Sequence, residues 1–175
     1  SESSSTALPP LRRDRAPGVE AGPPAPTGAG MTDASLLARE MTQLAIVIFA
    51  DADSLEYLDT VTQIFEDLGL TNVQVVDSEH AVLEACRAER RRVVLLPDHV
   101  GEAPLLAFVQ SLLKSVPFAS HPFIIAVTDT GLEAEHARAS GIDYTVDGRT
   151  QTHRDMRAIL LDIVRTRRGV QLRRE

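Results

Sequence analysis

With 175 residues, 43% of them hydrophobic and none tryptophan, the chain has room for one compact core rather than two. The formal charge of −7 hides a division: residues 1–40 hold four arginines against five acids, residues 165–175 hold five arginines against one acid, and the body between carries −10. An acidic body argues against a nucleic-acid surface, the single cysteine excludes an internal disulfide, and the lack of a long apolar run or a secretory signal predicts a soluble, cytoplasmic protein.

Residues 1–30 hold six of the ten prolines among Ala, Gly and Ser, a composition that buries too little apolar surface to offset ordering. Residues 1–42 are therefore expected to be a disordered leader, with a short helix at 35–41. Leu44 to Ala50 forms an apolar strand, and Leu58, Val61, Ile64, Phe65 and Leu68 recur at helical spacing until Gly69. Val73 and Val75 alternate with polar residues in a second strand, and Ser78 is placed to cap a helix through Val82, Leu83 and Cys86. Val93 to Leu96, closed by Pro97 and Asp98, has the continuous apolar character of a central strand covered on both faces.

Pro104 suits the first turn of a third helix over Leu105, Leu106, Val109, Leu112 and Leu113. Phe123 to Val127 is a fourth strand, after which Thr130 and Glu133 have capping-box spacing ahead of a short Ala-rich helix. Tyr144 to Val146 is a fifth strand. The last helix carries Met156, Ile159, Leu160, Ile163 and Val164 on one face and is expected to end near Gly169, leaving 169–175 as a basic tail. Five strand–helix units in strict alternation imply a parallel sheet with helices on both faces, whose working groups gather beyond the carboxyl ends of the strands.

The strand-end acids and the motifs FIIAVTDTG and ASGIDYTVDG together resemble the bacterial response-regulator receiver (CheY-like) family over residues 43–168. The resemblance implies a flavodoxin-like (βα)5 doubly wound parallel sheet of strand order 2-1-3-4-5. It also implies a phosphorylation site: two adjacent carboxylates holding Mg²⁺ after strand one, an Asp phosphoacceptor ending strand three, a hydroxyl after strand four, and an aromatic and a Lys in and beyond strand five. Thr128 and Tyr144 match the hydroxyl and the aromatic. The rest departs. Asp51-Ala52-Asp53 puts Ala52 into the acid pair, Pro97 falls on the phosphoacceptor position with Asp98 one residue late, and Asp147 followed by Gly148 stands where the Lys would be. A carboxylate ~4 Å from a phosphoryl oxygen costs on the order of a few kcal/mol at an effective dielectric near ~20, where Lys would stabilise by a similar amount. The only lysine, Lys114, lies in the third helix.

The leading expectation is a non-phosphorylatable pseudo-receiver, not an enzyme and without a cofactor. It acts in bacterial two-component-type signalling by binding a protein partner or itself. The face implied for this is fourth helix, fifth strand and fifth helix, framed by Leu132, Tyr144, Arg154 and Arg157. On this reading Asp51, Asp53, Asp98, Asp147 and Thr128 form a degenerate acidic pocket with at most weak Mg²⁺ at Asp51 and Asp53. One alternative is an active receiver phosphorylated on Asp98 with Mg²⁺. Another is a sensor that binds an anionic cyclic dinucleotide through Arg165, Arg167 and Arg168, with Arg173 and Arg174 beyond. Among plainer roles, Asp53 or Ser54 caps the first helix, Arg90 to Arg92 form a solvated helix end, Cys86 is half-buried, and the five histidines are surface residues without zinc-ligand spacing.

Overall fold

A computed structural model describes residues 32–89, 92–129 and 132–174, with side chains through Gly169. The leader up to Met31, Arg90, Arg91, Thr130 with its cap, and the side chains of Arg173 and Arg174 lie outside the described residues. By contact the chain divides into residues 1–38 and 39–175. The second unit is described here, and helix α1 (Asp33–Thr42) runs into it.

From there strands and helices alternate: β1 (Ile46–Phe49), α2 (Leu55–Asp67), β2 (Val73–Val76), α3 (Glu79–Ala88), β3 (Val93–Leu96), α4 (Leu105–Ser115), β6 (Phe123–Thr128), α5 (Ala134–Ala139), β7 (Tyr144–Asp147) and α6 (His153–Arg174). A small antiparallel hairpin, β4 (His99–Val100) and β5 (Ala103–Pro104), interrupts the passage from β3 to α4. The five longer strands form one parallel sheet in the order β2-β1-β3-β6-β7. With the hairpin set aside this is the order 2-1-3-4-5 of a flavodoxin-like α/β fold.

The sheet is centred on β1, β3 and β6, every residue of which is buried. Val47, Phe49, Val94, Leu96, Ile124 and Ala126 pack with Val82 of α3, Phe108 and Leu112 of α4 and Ala137 of α5. The alternate residues Ile46, Ile48, Leu95 and Ile125 are buried as completely. Strand geometry turns them to the opposite face, where α2 and α6 supply Val61, Ile64, Phe65, Met156 and Leu160. Each such side chain contributes about 1.5–3 kcal/mol by leaving water, so these strands dominate the stability of the domain. Gly69, at φ +85°, ends α2 where expected, and the Leu70 N–H closes onto the Phe65 carbonyl at 3.0 Å.

Several local features go beyond or against the expectations. Val75 is exposed on the edge strand β2, and Val76 is the buried residue there, because a strand with one neighbour has an uncovered margin. Arg92 is buried, its Nε donating to the Ala85 carbonyl at 3.1 Å, so this guanidinium closes the end of α3 instead of standing in solvent. Cys86 is fully buried rather than half-buried, and burial pushes its thiol up to about 11, which leaves it unreactive near neutrality. His121 is half-buried, its Nε2 within 2.9 Å of the Leu113 carbonyl and 3.1 Å of the Val116 carbonyl at the end of α4. Helix α6 does not stop at Gly169 but continues to Arg174. A Cβ added at Gly169 would meet nothing within 4 Å, so no turn requires that glycine.

At the start of α6, His153 Nε2 lies 2.7 Å from Asp67 Oδ2 at the end of α2, and Gln63 Nε2 donates to Asp67 Oδ1 at 3.0 Å. The hydrogen bond from His153, and after it the one from Gln63, hold the Asp67 carboxyl below its ordinary 3.8. Because the folded value is depressed, this contribution is complete above 3.8 and is lost as the pH falls through the folded value. We predict that His153→Ala lowers the urea midpoint at neutral pH and makes its decline on acidification shallower than in the parent protein. Parallel acid limbs would remove the pair from any role in stability.

Candidate functional site

In a parallel sheet the strands all deliver their carboxyl ends to one edge, and their last turns must satisfy backbone groups that no further strand will pair. After β1, Asp51 Oδ1 accepts the Asp53 N–H and the Ser54 hydroxyl, each at 3.0 Å, and caps the 3-10 turn Ala52–Ser54 that leads into α2. The capping side chain is thus Asp51. Asp53 donates its backbone to that cap, and Ser54 makes no side-chain cap bond.

After β3, Pro97 is followed by Asp98, whose carbonyl accepts the Leu105 N–H at 2.9 Å and whose Oδ2 accepts the Asp129 N–H at 3.2 Å. After β7, Asp147 Oδ1 accepts the Arg149 N–H at 2.8 Å, the side-chain turn typical of an Asp-Gly pair. That turn sends the Arg149 guanidinium back across the edge. Its Nη2 donates to the Asp129 carbonyl at 2.9 Å, and its Nε stands 3.9 Å from Asp129 Oδ1. Gly148 permits this closeness, since a Cβ there would lie 2.8 Å from Asp129 Oδ1 and 3.4 Å from Val127 Cγ1.

These turns surround an open cavity of about 740 Å³ whose wall includes Asp51, Asp53, Glu56, Tyr57, Pro97, Asp98, Asp129, Gly148 and Arg149. Of the expected acidic set, Asp51, Asp53 and Asp98 therefore share one cavity. Asp147 and Thr128 do not line it: Thr128 is buried at the end of β6 in register with Asp147, and Asp147 spends an oxygen on its own turn. Sequence reading missed Arg149, Asp129, Glu56 and Tyr57. The Asp-Gly pair before Arg149 was the available signal for the first, because it marks a turn that redirects the next side chain. The Tyr57 hydroxyl donates to the Phe49 carbonyl at 2.9 Å, and burial, then the charge of Asp51, push its ionisation above the ordinary range.

The receiver resemblance implies a divalent cation at this edge, and the donors present do not fit one. A hard cation needs several carboxylate or carbonyl oxygens directed at one point. Ala52 offers no carboxylate, Asp51 Oδ1 and Asp98 Oδ2 already accept backbone or hydroxyl hydrogens, and no group of three or more His, Cys, Asp or Glu side chains among the described residues stands so as to hold a metal.

Elsewhere, Tyr144 is half-buried on β7 with its hydroxyl donated to Asp162 of α6. Burial first, then that bond and the charges of Asp162 and Asp143, raise its ionisation above the ordinary 10.0. Leu132 is half-buried and packs against the core, whereas Arg154 and Arg157 are exposed on α6. At the basic end Arg165 is exposed, and Arg167 and Arg168 are half-buried beside Glu40, Gln43, Leu44 and Val164. Arg168 forms an ion pair with Glu40, so this guanidinium is committed to a carboxylate of the same chain.

Among solved structures, the chain is similar to a CheY-like response-regulator receiver domain from Methylobacillus flagellatus, at 20% identity and a TM-score of 0.56 over 69% of this chain and 98% of that one. It is similar at 13% identity and a TM-score of 0.57 to the receiver domain of a sensor histidine kinase from Pseudomonas aeruginosa, solved with a magnesium ion coordinated in the active-site cleft, over 70% of this chain and 98% of that one. A CheY-like receiver domain from Methanospirillum hungatei matches at 18% identity and a TM-score of 0.56, over 73% and 98% of the two chains. No protein-family model matches the sequence, and no curated protein matches it. The fold is that of CheY-like receiver domains.

We predict that Tyr144→Phe and Asp162→Ala each cost about 0.5–1.5 kcal/mol and that the double variant costs no more than the worse single one, because both remove one hydrogen bond. Urea unfolding of the four proteins measures this, and additive losses would show that the two groups act separately.

Proposed function

We propose that this protein is a pseudo-receiver: a receiver fold without phosphoryl-transfer chemistry, not an enzyme, that serves bacterial two-component-type signalling in the cytoplasm as a protein-interaction module. The observation that carries the reading is the state of Asp98. It follows the proline that closes β3, its Oδ2 accepts the Asp129 N–H, and its cavity contains carboxylates Asp51, Asp53, Glu56 and Asp129 without a lysine. A nucleophilic carboxylate in phosphoryl transfer needs clustered positive charge to receive the incoming group. Among the described residues of the cavity wall the one guanidinium, Arg149, is already engaged with Asp129.

Without a phosphoryl switch, recognition is constitutive. The face formed by α5, β7 and α6 suits this role: Tyr144 is tied to Asp162, and Arg154 and Arg157 stand exposed on α6. Aromatic and Arg side chains of this kind commonly dominate interface energies. The sensor reading has less support, since Arg168 is paired with Glu40.

The deciding experiment is intact-mass measurement after incubation with acetyl phosphate and Mg²⁺. We expect no added mass. A stoichiometric phosphoryl gain, abolished by Asp98→Ala, would establish an active receiver instead. For the interaction face, Arg157→Ala is expected to weaken self-association or capture of a partner by about 1–3 kcal/mol with unchanged thermal stability. Unaltered sedimentation and pull-down behaviour in Arg154→Ala and Arg157→Ala would move the binding surface elsewhere.

A further inference from the structure

We infer that Arg149 is the resident cation of the acidic cavity, a side chain tethered across the rim that takes the electrostatic place of a bound divalent ion and keeps such an ion out. The inference deepens the pseudo-receiver reading and rests on it. It starts from the mismatch between the donors of the cavity and a hard cation: the wall collects Asp51, Asp53, Glu56, Asp98 and Asp129, yet no three of these carboxylates are disposed around one point. Like charges gathered around one cavity raise its free energy unless a cation enters. Among the described residues of that wall Arg149 is the one guanidinium, and His99 also lines it.

The position of Arg149 is built rather than incidental. Asp147 Oδ1 fixes its backbone N–H at 2.8 Å, Gly148 leaves the space that brings Asp129 Oδ1 close, and Nη2 takes the Asp129 carbonyl at 2.9 Å. Asp129 in turn gives its N–H to Asp98 Oδ2 at 3.2 Å. A continuous chain of contacts thus runs from the end of β7 over the end of β6 to the end of β3. A divalent ion approaching Asp98 would meet a guanidinium already held at the neighbouring residue, and to bind it would have to displace that cation or accept its repulsion. Removing the guanidinium takes a full positive charge from the rim of the acidic cavity, and Mg²⁺ from solution then lowers the energy of the carboxylates as a loosely held, hydrated counterion, without the directed donor set of a formed site.

The test is the melting temperature of the full chain with and without ~10 mM MgCl₂, against NaCl matched in ionic strength, for the parent protein, Arg149→Ala, Arg149→Gln and Arg149→Lys. Arg149 is 74% exposed, so the variants are expected to fold, and the Gln variant keeps side-chain bulk should Ala disturb the turn. The parent protein and Arg149→Lys, which keeps the charge, should shift by less than ~1 °C. The neutral variants should gain ~2 °C or more from Mg²⁺. An equal gain in the parent protein, or no gain in either neutral variant, overturns the inference. The outcome is separable from that of the underlying reading, because phosphorylation of Asp98 is read by mass and Mg²⁺ stabilisation by melting.

Discussion

Burying β1, β3 and β6 on both faces is possible only because their side chains are apolar, Thr128 at the very end of β6 being the exception. An unpaired polar group anywhere along them would cost on the order of 1–3 kcal/mol, comparable to what a buried aliphatic side chain contributes. The constraint pushes every titratable group out to the strand ends. It also explains why Asp51, Asp98, Asp129 and Asp147 crowd one edge of the sheet without any requirement that they act together.

At that edge the carboxylates meet a second demand. Each strand turns sharply into a loop or helix, and backbone N–H groups released from the ladder need acceptors. Asp51 serves the turn after β1, Asp98 the Asp129 amide, and Asp147 the Arg149 amide. A carboxylate that accepts such bonds is oriented by them, and orientation decides what chemistry remains. The proline before Asp98 and the glycine after Asp147 therefore matter as much as the acids, because they set the direction of the chain at those points.

The fold was legible because it is written in periodicity. Unbroken apolar runs such as Val93 to Leu96 and helical spacings such as Val61, Ile64 and Phe65 report burial directly, and both are buried as read. Alternation in β2 says which residues share a face and not whether an edge strand has anything to cover it, and Val75 is exposed there. The site was less legible. Position relative to a strand end placed Asp147 where a family lysine would be, but its side chain turns into its own loop, and the cation arrives from Arg149, two residues later. The hairpin β4–β5 is too short for any periodic signal, and the α6 extension past Gly169 shows that glycine without a turn partner does not end a helix.

Helix α6 closes the argument about rigidity. Its Met156, Leu160, Ile163 and Val164 are buried, which at about 1.5–3 kcal/mol each fixes the helix on the sheet. Three polar ties then set its rotation and register: His153 to Asp67 of α2, Tyr144 of β7 to Asp162, and Arg168 to Glu40 of α1. Partly exposed pairs of this kind contribute little and do not hold a helix in place alone. Their value lies in distribution, since they meet α6 near its start, its middle and beyond its buried stretch, and each is lost if the helix rolls or slides. A surface presented by α6 and β7 is thereby held in one arrangement by apolar packing for strength and by spaced polar contacts for direction. That is the property a constitutive interaction face requires.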